Sequence, residues 1–126
     1  FLTLGMVILP CSMKTLGQIA TCTGESLIPR AADVVLKERR RLVLGVRESP
    51  FHEIHLQHML TLTRMGAIVA PPVPAFYTAP TSLDQVIDHT VTRMLDLFEI
   101  ATPGAPRWDG DMHPGGRAAL RDTTEV

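Results

Sequence analysis

The sequence has no excess of charge of either sign. Twelve Lys and Arg stand against 13 Asp and Glu, a formal net charge of -1, so it lacks the broad electrostatic footprint that nucleic acid or an acidic membrane surface requires. Cysteine is nearly absent as well. Cys11 and Cys22 are the only two, and they form neither a CxxC pair nor a dense disulfide framework, which points to a reducing compartment and a cytoplasmic protein. No apolar run approaches the roughly 20 residues of a membrane helix, and the apolar stretch at the start has no basic region before it and ends at Pro10. No internal repeat is present. Aromatic residues are scarce at 5%, yet 45% of the 126 residues are hydrophobic and 20% charged. That is the composition of one ordinary globular domain, neither disordered nor collagen-like.

Residue 1 is Phe rather than Met, and Phe1 to Leu9 reads as a buried strand with no leader. The expectation is therefore the C-terminal part of a single domain over residues 1–100, its N-terminal part missing, followed by a mobile tail over 101–126 where Gly, Pro and polar residues replace periodicity. Within that domain, Met6–Leu9 is short, apolar on both faces and closed by Pro10, the pattern of a strand covered on both sides. Ser12 precedes a helical spacing over 13–20 that Gly24 can close. A second helix is predicted over about 27–39, with Ile28, Ala31, Ala32, Val35 and Leu36 on its apolar side and a basic run, Lys37 to Arg41, at its end. Leu42–Val46 is the next strand. Ser49-Pro50 predicts a helix start that runs to about Met65, with Gly66 as its stop. Ala67–Ala70 is a third strand, broken by Pro71-Pro72-Val73-Pro74. A last helix after Thr81-Ser82 carries Leu83, Val86, Ile87, Val91, Met94, Leu95 and Phe98 at the 3.6-residue period.

Alternating strands and helices imply right-handed crossovers and a three-layer α/β fold, a Rossmann-like (flavodoxin-like) parallel sheet with helices on both faces. Ligands of such folds sit outside the carboxyl ends of the strands. Those ends are Cys11-Ser12, Arg47-Glu48 and the loop from Pro71 to Tyr77. Ser12 and Thr15 lie on the first turn of a helix whose free N–H groups can bind an anion, although Ser12 also serves as a plain cap. Arg47 can hold a phosphate with two hydrogen bonds and Glu48 can move a proton, or the two can form a surface ion pair. The proline-rich loop can wall an apolar pocket with the Tyr77 hydroxyl at its edge, or pack against the tail.

Three further features are read as structural. His52, His55 and His58 fall at i, i+3 and i+6 of one predicted helix without an Asp or Cys ligand nearby, so a solvated or interface face is expected rather than a metal site. Cys11 is read as packing rather than a nucleophile. The arginine run at 39–41 is read as a helix end and solvated face.

Five segments, in order, resemble the UbiX family of flavin prenyltransferases: Gly5-Met-Val-Ile-Leu-Pro-Cys-Ser-Met-Lys-Thr-Leu16, Pro29-Arg-Ala-Ala-Asp-Val-Val-Leu-Lys-Glu-Arg-Arg40, Val46-Arg-Glu-Ser-Pro50, Ile54-His-Leu-Gln-His-Met-Leu60 and Pro72-Val-Pro-Ala-Phe-Tyr77. Several motifs in matching order are far more specific than any one alone. The resemblance implies a flavoprotein that transfers a dimethylallyl group from dimethylallyl monophosphate to N5 and C6 of FMN. Its product, prenylated FMN, would serve a UbiD-type decarboxylase. The resemblance places FMN against Ser12, Met13, Lys14, Thr15 and Arg47, and the prenyl phosphate against Lys37, Tyr77 and Arg93. Proton handling falls to Glu48 and Ser12, no metal is required, and a homo-oligomer is implied, a dodecamer in the family.

The chain departs from the family at Cys22, where a glycine is expected, and at Ser26, where many relatives carry Asn. The family's glycine-rich loop after its first strand has no counterpart in residues 1–126. The alternatives are a flavin-dependent cysteine decarboxylase of the same fold, whose PASAN-type motif is replaced here by Pro10-Cys-Ser-Met-Lys14, and an inactive oligomerising fragment.

Overall fold

The computed structural model of the protein describes residues 2–105. It divides into two compact units, residues 2–72 with 97–99 and residues 73–96 with 100–105. The tail expected from 101 onward lies outside the described residues beyond Ala105.

The first unit holds β1 (Gly5–Cys11), α1 (Met13–Thr21), α2 (Leu27–Lys37), β2 (Arg41–Val46), α3 (Glu53–Arg64) and β3 (Ile68–Val69). The three strands form one parallel sheet in the order β1-β2-β3, with Gly5 opposite Arg41 and Val43 opposite Ile68. This is the α/β architecture the alternation predicts. β2 lies between the other two strands, and Leu42, Val43, Leu44 and Val46 are all buried. Its apolar run fits a strand covered on both faces. Leu16 and Ile19 of α1, Ala32, Val35 and Leu36 of α2, and Leu62 of α3 close the core around it.

β1 departs from expectation in two ways. It does not stop at Pro10 but continues to Cys11, with the pairing to β2 shifted between Ile8 and Cys11 and a cis Leu9–Pro10 bond. Pro10 is accommodated by this irregularity in the pairing, since it has no N–H to give to a regular ladder. Nor is β1 buried on both faces: Val7 and Leu9 remain 47% and 41% exposed while Ile8 is buried. Leu9 lies over Gly45, where any Cβ would overlap its side chain.

The helices differ from the sequence pattern mainly at their ends. α1 is closed by Cys22 in the left-handed region at φ 54°, its N–H reaching the carbonyls of Gln18 and Ile19, rather than by Gly24. α2 ends at Lys37, two residues early, and Ile28 of its expected apolar side is 50% exposed while Pro29 is buried. α3 begins at Glu53, not at Pro50, because His52 provides the cap: its Nδ1 accepts from the N–H groups of Ile54 and His55 at 3.1 and 3.3 Å, and the His52 N–H donates to His55 Nδ1 at 3.4 Å.

The second unit holds a short 3-10 turn, Phe76–Thr78, and α4 (Leu83–Asp96). The helical period over 83–96 is real. Of its apolar positions only Met94 is buried; Leu83, Ile87 and Val91 are exposed at 73%, 50% and 45%.

Candidate functional site

The carboxyl ends of β1 and β2 meet where the chain leaves the sheet. The Arg47 N–H donates to the carbonyl of Cys11 at 3.4 Å, tying the first residue after β2 to the last residue of β1. Ser12 follows at once in extended backbone and caps α1: its Oγ accepts from the Thr15 N–H and donates to Thr15 Oγ1, both at 3.1 Å. The hydroxyl therefore satisfies one of the helix's unpaired donors and leaves the amides of Met13 and Lys14 to a ligand. With the positive end of the helix dipole behind them, these groups make a corner of a kind that can receive an anion. Ser12 and Lys14 are exposed, and Met13 and Thr15 half-buried.

Arg47 and Glu48 stand beside this corner, both exposed. Among the described residues they form no ion pair with each other, and the Arg47 guanidinium has no hydrogen-bond partner. Glu48 instead turns back on its own loop, Oε1 accepting from the Ser49 N–H at 3.2 Å. Six of the sequence-predicted residues, Ser12, Met13, Lys14, Thr15, Arg47 and Glu48, are thus gathered at one end of the sheet.

Cys11 faces inward. It is fully buried, its Sγ donates to the Ser12 carbonyl at 3.6 Å, and burial pushes its thiol from 9.0 up to about 11. A thiol so held is a packing group, since the thiolate is the reactive form.

Lys37 is elsewhere. It ends α2 four residues before Arg41, and Arg41 pairs with Gly5, the first residue of β1, whereas Ser12 follows the last. The two ends of a seven-residue strand are about 20 Å apart, so within one copy Lys37 does not join the Ser12 corner. Its Nζ pairs with Glu38 at 3.0 Å in an exposed bridge. In the second unit, Tyr77 is exposed and meets His89 edge-on with ring centroids 6.4 Å apart. Arg93 pairs with Asp96 at 3.1 Å.

The imidazoles of α3 have an assignment the spacing did not reveal. His52 and His55 stack at 3.5 Å between centroids and form a reciprocal capping box, and His58 lies over Gly17 of α1. The i, i+3 interval is the signal, being the spacing of a Ser-x-x-Glu capping box with both members replaced by histidine. Among the described residues no group of three His, Cys, Asp or Glu is placed to hold a metal ion, and no helix is long and apolar enough to cross a membrane.

The sequence pattern of the Flavoprotein family matches residues 3–100. The chain belongs to this family. Among relatives of this Flavoprotein chain, a "Probable UbiX-like flavin prenyltransferase" of Streptomyces sp. (strain D7) is 60% identical over 121 residues, covering 96% of this chain and 60% of that protein. The "Flavin prenyltransferase UbiX" of Escherichia coli (strain K12) is 57% identical over 112 residues, covering 87% and 59%. Two solved structures have the same fold. AnUbiX (PadA1) in complex with FMN and dimethylallyl pyrophosphate superposes with a TM-score of 0.85 at 54% identity, covering 88% of this chain and 59% of that one. A dodecameric FMN-dependent Ubix-like decarboxylase from Escherichia coli O157:H7 gives 0.83 at 52% identity, covering 87% and 60%. The Flavoprotein chain spans about three-fifths of the length of these relatives.

Proposed function

We propose that this chain carries part of a flavin prenyltransferase, which joins a dimethylallyl group from dimethylallyl monophosphate to FMN. The observation that supports it most is the corner at the carboxyl ends of β1 and β2, where the backbone of Arg47 is tied to Cys11 beside the first turn of α1 and its guanidinium has no hydrogen-bond partner among the described residues. That donor set fits a phosphate-bearing flavin, and a structural relative at 54% identity is described with FMN and dimethylallyl pyrophosphate.

Bound reduced FMN would supply the nucleophilic N5 and C6. Met13 and Lys14 would hold it through their amides, Ser12 and Thr15 would fix the first turn, and Arg47 would add a charge-assisted contact. Glu48, with one oxygen already taking the Ser49 N–H, has a second to receive a proton, and the Ser12 hydroxyl, which also follows a strand end, would share that role. Lys37, Tyr77 and Arg93 would hold the prenyl phosphate and stabilise the charge that develops as the allylic C–O bond breaks.

Lys37 sits at the far end of its own sheet, so it would act on the Ser12 corner of a second copy. The site would then be completed by oligomerisation, for which a dodecameric relative is the precedent. A UbiD-type decarboxylase would receive the product, and a cytoplasmic location would suit that exchange.

The test is mass spectrometry of flavin extracted after incubation with reduced FMN and dimethylallyl monophosphate. The chain is assayed alone and extended at its N-terminus by the corresponding part of the Streptomyces relative. The extended protein should give the mass gain of one prenyl group, and Arg93→Ala should suppress that gain while FMN stays bound. No gain in the extended protein refutes the reading; full gain in Arg93→Ala refutes only the role of Arg93.

A further inference from the structure

The opposite end of the sheet holds a basic hollow of about 510 Å³ that the proposed prenyl transfer does not use. Its wall includes three consecutive arginines, Arg39, Arg40 and Arg41, together with Gly66, Phe98 and Glu99. Arg41 is held in place, donating to the Leu97 carbonyl at 2.6 Å and lying 3.7 Å from Glu99. Arg39 and Arg40 make no side-chain hydrogen bond or ion pair with any described residue. Three cations against one carboxylate leave the hollow with a surplus of positive charge, and two of its guanidiniums have their donors free.

Three residues with positive φ border the hollow. Arg39 at φ 57° and Glu99 at φ 60° are non-glycine residues in the left-handed region, and Gly66 at φ 102° is in a conformation that side chains rarely adopt. At Arg39 and Gly66 this is the closing turn of a helix: the Arg40 N–H donates to the Val35 carbonyl at 2.9 Å at the end of α2, and the Ala67 N–H to the Leu62 carbonyl at 2.9 Å at the end of α3, so two helix ends shape the wall. At Gly66 a Cβ would meet nothing within 4 Å, so the glycine opens onto free space. Phe98 adds a flat apolar surface beside the cations.

We propose that this hollow binds a nucleotide, its phosphates on Arg39 and Arg40 and its base against Phe98. Arginine suits both halves of such a ligand, because its planar fork pairs with two phosphate oxygens and its face stacks on rings. The volume is that of an ordinary small-molecule site. Because β1 and β2 separate the hollow from the Ser12 corner along their whole length, this nucleotide and the flavin occupy opposite ends of the sheet and do not compete.

The experiment is calorimetric titration of the 126-residue chain with ADP at low ionic strength, paralleled by inorganic pyrophosphate and by thermal melts with and without ADP. One saturable site is expected for ADP, with pyrophosphate weaker because it lacks the ring. Arg39→Gln/Arg40→Gln should weaken ADP at least tenfold, as loss of two charged hydrogen bonds requires, and should lose the ADP-induced rise in melting temperature. Its melting temperature without ligand should match the parent, because neither side chain has a partner to lose. Phe98→Leu should weaken ADP but not pyrophosphate, and Arg47→Ala should leave ADP binding unchanged. No saturable binding, equal binding in the double variant, or loss of binding in Arg47→Ala would each overturn the proposal. So would a double variant that changes only the oligomeric state in light scattering, since the hollow would then be a contact between copies.

Discussion

Arg47 leaves β2 with its guanidinium uncommitted, and the cost of removing it therefore falls on the ligand rather than on the fold. Arg47→Ala in the N-terminally extended protein should lower FMN affinity by about one to two orders of magnitude, taking a charged hydrogen bond as ~1.5–3 kcal/mol; fluorescence titration of FMN measures it. An unchanged affinity would place Arg47 outside the flavin site. Cys11 is its opposite, a group wholly absorbed by the fold. Its thiol titrates near 11 when folded and near 9.0 when exposed, so the folded state holds its proton more tightly. That contribution to stability is complete below about pH 9 and is lost as the pH rises through 11. Alkylation at pH 8 followed by peptide mass spectrometry should modify the exposed Cys22 and spare Cys11; equal labelling would contradict the buried geometry. Cys22 also shows why one departure from the family was legible as a position but not as a conformation. The residue that closes α1 must enter the left-handed region, where glycine is the ordinary choice, and Cys22 adopts it at φ 54°.

At the scale of elements, the sequence placed every α-helix and strand among the described residues, misjudged several ends and missed the 3-10 turn at Phe76–Thr78. Ser49-Pro50 has the composition of a helix start, but the cap two residues later is the one the chain uses, because His52 and His55 together satisfy three backbone N–H groups. Histidine is a weak prior for a cap, and only its i, i+3 partner gives it away. His52→Ala should cost about 0.5–2 kcal/mol, the range for a lost N-cap, whereas His52→Asn should retain most of the stability. Urea denaturation of the two variants decides it, and equal stability of His52→Ala and the parent would mean the cap contributes nothing. The amphipathic period of α4 was equally plain in sequence, but periodicity reports which residues are apolar and not what covers them. The same holds for β1: its run of apolar residues predicted cover on both faces, and Val7 and Leu9 are left half exposed.

For the whole molecule, the sheet, its parallel sense and the clustering of Ser12 with Arg47 followed from the alternation of elements, because strand ends in a doubly wound fold necessarily converge. The position of Lys37 did not. Helices in such a fold run back from one end of the sheet to the other, so a residue at the end of α2 is carried away from the corner that opens α1. This predicts complementation between copies in the N-terminally extended protein. Lys37→Ala and Arg47→Ala, each impaired alone, should recover part of the prenyl transfer when unfolded together and co-assembled, because some sites then receive both residues. Recovery no greater than the sum of the separate variants would show that Lys37 serves its own copy or none.

The register of the sheet also governs the order in which the molecule comes together. Gly5 pairs with Arg41 and Val43 with Ile68, so every strand pair joins residues far apart in the chain, and joining β1 to β2 closes a loop of roughly 36 residues at an entropic cost paid before any ladder bond forms. Contacts of this kind slow folding. The local structures available to shorten that search are α1 and α2, which pack on each other between the two strands and bring their ends within reach. On a ribosome, the last rung of that ladder, Cys11 with Val46, cannot form until Val46 has emerged.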